Sequence, residues 1–312
     1  MITTITLNPA LDKIFKLNNL NKGKLNRLEE TIERAGGKGL NVARVVHKIG
    51  ARVLSISTFG GYTGEYMQKL IEAEGIPNKI IWSSYKTREN IKIVEKGGKE
   101  TEINQKGCVE PEDYSKFLSL FKKELKRTEI LVLAGSLPEG LSSDTYKQLI
   151  NLAKKENVKT ILDTSGQALK FGIETQPFLI KPNVHELRAL FQKELKKIGE
   201  IIDAAKILID KGINTVVVSL GSKGALYIRD DKYYRVLAPK VKILESTVGA
   251  GDSMVAALSI AIRDNYSLQE ISIYTTSIAS LFLSGADINT NNIKQMKNKL
   301  KLIDEVDFDE IV

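Results

Sequence analysis

Short apolar runs alternate with longer amphipathic stretches through most of the chain. Residues 130–134 and 216–220 are almost wholly apolar, which predicts strands covered on both faces. Further strands are predicted at 2–7, 53–57, 160–163, 178–181 and from 215. Helical spacing of apolar positions marks 39–49, 63–74, 111–126, 145–155, 186–191, 200–211, 252–264 and 268–283. This alternation predicts an α/β fold with a doubly wound, mostly parallel sheet flanked by helices. Two segments, 13–33 and 87–104, carry strand-like stretches with no helix between them. The second turns through Lys96-Gly97-Gly98-Lys99 between partly alternating arms, the mark of a hairpin. Together they predict a small antiparallel β lid inserted in a single domain spanning 1–312. One apolar face of that lid needs a cover, either a substrate or the second subunit of a homodimer.

Composition narrows the function classes. The single cysteine, Cys108, and the two histidines, His47 and His185, leave no disulfide within the chain and little from which to build a zinc site. Neither a basic, apolar leader nor a run of membrane-spanning length is visible, so a cytoplasmic protein is expected, with no membrane partner. The net charge of +8 by itself permits nucleic acid, acidic membranes or phosphorylated metabolites. Its lysines are interleaved with apolar positions along helices, as in Phe121-Lys122-Lys123-Glu124-Leu125-Lys126-Arg127, which is the pattern of solvated faces rather than a nucleic-acid surface.

The candidate chemistry lies in small-residue turns between strands and helices. Ser246-Thr247-Val248-Gly249-Ala250-Gly251-Asp252-Ser253-Met254 runs into an apolar helix. Such a turn aims backbone amides at one spot, aided by the helix dipole, and Asp252 beside it could take a proton. The same aspartate could instead serve only as a helix N-cap. A dinucleotide fingerprint fits poorly, because Met254 stands where a third small residue is needed. Ala35-Gly36-Gly37-Lys38-Gly39-Leu40-Asn41 is a second glycine-rich helix entry, with Lys38 and Asn41 suited to a sugar or its phosphate. It is equally readable as a turn before a helix. Asp12 follows the first strand, where open α/β sheets bind ligands, or is a turn aspartate. Arg88, Asn90 and Lys92 share one face of a strand, suited to a phosphate or simply solvated. Lys181-Pro182-Asn183-Val184-His185-Glu186 reads as a capping box, with water and Mg²⁺ around a nucleotide as the functional alternative. Ser219-Leu220-Gly221-Ser222-Lys223-Gly224 allows close backbone approach to a ligand, or is a hairpin turn.

In combination, these motifs resemble the ribokinase-like (PfkB) carbohydrate kinases over residues 6–285. The segments 36–43 and 246–258 are similar to the family's two signatures. Thr6-Leu7-Asn8-Pro9, Gly37-Lys38-Gly39, Thr87-Arg88-Glu89-Asn90-Ile91-Lys92 and Ala134-Gly135-Ser136-Leu137-Pro138 resemble the branch acting on sugar phosphates. The resemblance implies transfer of the γ-phosphoryl of ATP, with Mg²⁺, to the C6 hydroxyl of fructose 1-phosphate. Tagatose 6-phosphate and fructose 6-phosphate are the alternative substrates. It implies Asp252 as general base and the Gly249, Ala250 and Gly251 amides as anion hole. It places Asp12, Gly37, Lys38, Asn41, Arg88, Asn90 and Lys92 on the sugar phosphate, with Lys38 and Arg88 at its phosphate. Lys181, Asn183, Glu186, Ser219, Gly221, Gly224 and Lys24 fall on the nucleotide side, Asn183 and Glu186 reaching the metal through water. A non-catalytic sugar-phosphate sensor and a nicotinamide-dependent dehydrogenase are the rival classes.

Overall fold

The computed structural model describes residues 1–239, 241, 249–303 and 306–312. The chain begins β1 (Ile2–Thr6), β2 (Ala10–Leu17), β3 (Glu30–Gly36), α1 (Lys38–Lys48), β4 (Val53–Phe59), α2 (Gly61–Ala73) and β5 (Asn78–Trp82). It continues β6 (Arg88–Glu95), β7 (Glu100–Asn104), α3 (Pro111–Leu125), β8 (Ile130–Ala134), α4 (Thr145–Lys155), β9 (Lys159–Asp163) and α5 (Gly166–Ile173). Then come β10 (Leu179–Ile180), α6 (Val184–Phe191), α7 (Ile198–Asp210), β11 (Thr215–Ser219), β12 (Ala225–Arg229) and β13 (Lys232–Leu237). The described remainder holds α8 (Ala250–Arg263), α9 (Leu268–Ser284), α10 (Thr290–Lys297) and β14 (Lys301–Ile303).

The strands form a large sheet ordered β14-β13-β12-β11-β10-β9-β8-β1-β4-β5 and a small one ordered β3-β2-β6-β7. From β5 to β11 every neighbouring pair is parallel, while β11 to β14 is an antiparallel extension. Strand β8 shows why its sequence is an unbroken apolar run. Ile130, Val132 and Ala134 enter the core with α1, α2, α8 and α9; Leu131 and Leu133 enter the opposite core with α3, α4 and α7. Each such buried isoleucine, valine or leucine contributes roughly 1.5–3 kcal/mol.

The expected helices and strands are present, their ends agreeing to within two residues. Local amphipathicity did not disclose the edge strand β5, the helix α5, or the extension β12 to β14. The lid is the small sheet, and it reaches further than 13–33 because β2 starts at Ala10 and β3 ends at Gly36. Both outer pairs are antiparallel, and the central pair β2–β6 runs parallel.

Where the chain leaves β1 it heads for β4 and β5; where it leaves β8 it heads the other way, to β9, β10 and β11. Open α/β sheets bind ligands at such a reversal, beyond the carboxyl ends of the strands. Here the reversal falls between β1 and β8. The Asn8 amide spans it, donating to Ser136 Oγ at 3.0 Å. The lid strands leave and re-enter the domain at this same end.

Candidate active site

Helix α8 opens at the crevice. Gly249 is its N-cap at φ 92°, a backbone region that favours glycine. A Cβ there would also lie 2.8 Å from the Phe282 ring. The first helical bond runs from Ser253 N to the Gly249 carbonyl, 2.8 Å. The amides of Ala250, Gly251 and Asp252 are therefore first-turn donors without a helical acceptor. Asp252 is the third residue of the helix and not its cap, which corrects the capping alternative. The residue is 6% exposed. Burial, then the nearby Asp163 carboxylate, pushes its carboxyl up to about 6, against the pull of Asn41, Lys38 and Lys181. The preceding Ser246, Thr247 and Val248 lie outside the described residues.

Three elements surround Asp252. From α1, the Asn41 amide donates to Asp252 Oδ2 at 2.8 Å. Lys38, at the first position of α1, donates to Asp163 Oδ2 at 3.1 Å. Lys181, just beyond β10, lies 3.2 Å from Asp163 Oδ1, and its ammonium is 3.6 Å from where a Cβ on Gly251 would stand. Burial alone would lower the Lys38 ammonium, but the Asp163, Asp252 and Glu186 carboxylates hold it above its usual value. Burial would likewise raise Asp163; Lys181 and Lys38 outweigh it and hold the carboxyl below its usual range. Two lysines, two aspartates and a glycine turn thus converge at the head of α8.

Asp163 does not stand out in the sequence. It closes β9 as Asp12 follows β1, and the same reasoning about carboxylates beyond parallel strands applies to it. Its identity as the common partner of Lys38 and Lys181 needs the folded chain, because neither lysine is its neighbour in sequence.

The second group sits on the lid. Asp12 lies within β2, not in a turn after β1. It stands opposite Asn90 of β6 in the parallel ladder, and the Asn90 amide donates to Asp12 Oδ1 at 3.0 Å. Burial leads in raising the Asp12 carboxyl above its usual value. A Cβ at Gly36 would fall on this carboxylate. Arg88 donates to Asn90 Oδ1 at 3.2 Å, to the Gln105 carbonyl at 3.0 Å and to the Asn8 carbonyl at 3.1 Å. Its Nε is buried without a hydrogen-bond partner among the described residues. Lys92 pairs with Glu100 across β7 at 2.6 Å.

The remaining candidates divide. Asn183 caps α6, its Oδ1 accepting from Glu186 N at 2.8 Å while Glu186 Oε2 accepts from Asn183 N at 2.9 Å. Ser219 bridges to Asn183, its N–H donating to the Pro182 carbonyl at 3.1 Å. Gly221 opens a 3-10 turn joining β11 to the antiparallel β12, so the hairpin alternative describes this segment. A Cβ on Gly221 would meet open space, whereas one on Gly224 would collide with the Val236 carbonyl. Gly224 therefore answers to sheet packing. Gly37, at φ 122°, precedes Lys38, and a Cβ there would press on Thr6 Cγ2 at 2.6 Å. Lys24 stays exposed in the loop between β2 and β3 and joins none of these contacts.

The sequence profile of the "pfkB family carbohydrate kinase" matches residues 2–294. The chain belongs to the pfkB family of carbohydrate kinases. It is 37% identical over 271 residues to the 1-phosphofructokinase of Bacillus subtilis (strain 168), covering 86% of this chain and 88% of that one. It is also 37% identical over 275 residues to a tagatose-6-phosphate kinase of Staphylococcus epidermidis, covering 87% and 88%. Phosphofructokinase-2 from Escherichia coli, solved in complex with substrates and products, superposes with a TM-score of 0.88 at 30% identity, covering 95% of this chain and 98% of that one. The protein is accordingly a sugar-phosphate kinase, a phosphotransferase, which removes the dehydrogenase and sensor alternatives. Among the described residues no helix is long and apolar enough to cross a membrane.

Proposed function

We propose that the chain transfers the γ-phosphoryl group of ATP to the C6 hydroxyl of fructose 1-phosphate, giving fructose 1,6-bisphosphate. The observation that carries this reading is Asp252. It is buried at the head of α8, held by Asn41, and set beside a glycine turn flanked by two lysines. Asp252 removes the hydroxyl proton as the oxygen attacks the γ-phosphorus and the bond to the β,γ-bridging oxygen breaks. The first-turn amides and Lys181 face the charge on the transferring group. Such preorganised donors supply most of the stabilisation in phosphoryl transfer.

Asp12, Asn90 and Asn41 offer acceptors and donors for sugar hydroxyls, and Arg88 with Asn90 offers a cation and an amide for the sugar's own phosphate. Lys38 contacts Asp163 rather than the Arg88 group, so we assign it to the transferring phosphoryl and not to the 1-phosphate. Lys92 is engaged by Glu100 and Lys24 is remote from these contacts, which leaves both with a minor part. The Gly221 turn and Ser219 lie beside Asn183, where a nucleotide would pass.

Mg²⁺ bound with ATP would neutralise phosphate charge. Among the described residues no cluster of three metal-ligating side chains exists, which fits an ion held mainly by phosphate oxygens and water. Asn183 and Glu186 would reach it through water, since Glu186 keeps one carboxylate oxygen outside the capping box. The exposed Leu25 and Leu28 in the β2–β3 loop and Ile103 on β7 support a homodimer through the lid.

Relatives named for 1-phosphofructokinase and for tagatose-6-phosphate kinase match this chain at the same identity, so substrate choice is a matter for assay. Coupled measurement of ADP release with fructose 1-phosphate, tagatose 6-phosphate and fructose 6-phosphate should give the highest kcat/KM for the first. A higher value for either other sugar would replace the substrate. Turnover with none of them would sink the reading.

A further inference from the structure

We propose that Arg44 is a positioning residue for Asp252, fixing which end of the Asn41 amide meets the carboxylate. The proposal deepens the reading of Asp252 as base and rests on it. Arg44 lies three residues after Asn41 on α1, on the same helical face. Its Nη1 donates to Asn41 Oδ1 at 2.8 Å, and the Asn41 Nδ2 donates to Asp252 Oδ2 at 2.8 Å. The guanidinium is itself anchored on every side. Nη2 donates to the Ala35 carbonyl at 2.7 Å and to Glu74 Oε1 at 3.0 Å, and Nε donates to Glu74 Oε2. This two-point grip on a carboxylate fixes the plane of the guanidinium.

Donors and acceptors then dictate the orientation of the amide. An arginine has donors only, so the amide atom that faces it must be the oxygen. The amide nitrogen is forced toward Asp252. An ionised carboxylate only accepts, and this arrangement satisfies it. A protonated Asp252 could offer its hydrogen to the amide oxygen if the amide were free to turn, and Arg44 removes that option. The amide therefore stabilises the ionised base and not the protonated acid. With Oδ2 occupied, Oδ1 is the oxygen left to receive the hydroxyl proton. The other charged groups facing Asp252 are Asp163 from β9, Lys38 from α1 and Lys181 from beyond β10. The hydrogen bonds of Arg44 run instead to Asn41, Ala35 and Glu74. The competing account is that Arg44 only ties α1 to Glu74 at the end of α2.

The test follows the titration of the Asp252 carboxyl carbon by NMR in aspartate-labelled protein, with Asp252→Asn assigning the resonance. It is paired with the pH dependence of kcat/KM on the sugar phosphate that turns over fastest. Arg44→Met should raise the Asp252 midpoint by about one pH unit and move the acid limb of kcat/KM with it. Arg44→Lys, which restores one donor, should recover part of the shift. Glu74→Gln should shift it the same way by less. An Asp252 midpoint unmoved in Arg44→Met overturns the proposal, whatever happens to melting temperature. If Arg44→Met does not fold, Glu74→Gln and Arg44→Lys decide the matter by the same criterion. Full turnover by Asp252→Asn would remove the base reading, while the midpoint shift would separately report whether Arg44 governs the carboxylate.

Discussion

Asp252 carries two opposed demands in one side chain. Its place in the first turn of α8 favours a negative charge, while burial and Asp163 push its carboxyl up to about 6. The base we propose in Asp252 must be ionised, so kcat/KM should be flat above about pH 7 and fall about tenfold per unit below pH 6. The stability effect has the opposite sign. A folded-state value above the ordinary one means that the folded protein binds the proton more tightly than the unfolded chain between about pH 4 and 6. Stability from this group is thus present at low pH and lost as pH rises through that window, a penalty on the order of 3 kcal/mol when fully ionised. Asp252→Asn should lower kcat by at least ~10²-fold while leaving the melting temperature at about pH 7.5 equal to or above that of the parent protein. Parallel kcat/KM and melting curves from pH 5 to 8 check both signs. A stability loss with activity retained would mean that the carboxylate serves the fold.

At the level of the element, the two glycines that open α8 should answer differently to the same change. Gly249 sits in the left-handed region with the Phe282 ring 2.8 Å from a would-be Cβ, so Gly249→Ala should cost about 1–3 kcal/mol of stability. Gly251 is helical, and alanine there is favoured over glycine by about 1 kcal/mol. Its added methyl would stand 3.6 Å from the Lys181 ammonium, in the space we assign to a phosphoryl oxygen. Gly251→Ala should therefore raise the melting temperature and lower kcat, measured on the same preparations. A loss of stability at Gly251 would contradict this account. The contrast also shows what is legible in the chain before it folds. Strands buried on both faces, such as β8, announce themselves as apolar runs, and a glycine-rich turn before an apolar helix announces α8. Strands β5, β13 and β14 mix polar with apolar residues, so their pairing decides them. Asp163 and the Arg44–Asn41–Asp252 chain stayed hidden for one reason. They join residues far apart in sequence, Lys38 to Asp163 across 125 positions and Asn41 to Asp252 across 211.

Across the whole molecule the site is divided between two bodies of structure. Asp252, Lys38, Asn41 and Lys181 belong to the crevice at the β1/β8 reversal, while Asp12, Arg88 and Asn90 ride on the lid sheet. The parallel β2–β6 pair binds those three together in register, and Arg88 ties the lid to the crevice through the Asn8 carbonyl. A sugar phosphate held at one end by Arg88 and presenting its hydroxyl to Asp252 at the other would cross-link lid and crevice. Binding energy then opposes every opening of the lid, by up to about 2.7 kcal/mol at a ligand concentration 100 times Kd. Backbone amides of β2 and β6 that exchange through lid opening should slow by as much as ~100-fold when saturating fructose 1-phosphate is added. Amides at the centre of the large sheet, in β8 for example, should exchange unchanged. Arg88→Met should abolish the slowing and raise KM, because it removes the cation we assign to the sugar's phosphate. Asp252→Asn should keep the slowing although turnover is lost, because the base is needed for the transfer and not for the grip. Hydrogen exchange on the three proteins, with and without the sugar phosphate, reads both effects. Slowing that persists in Arg88→Met would mean that the phosphate is gripped elsewhere than on the lid.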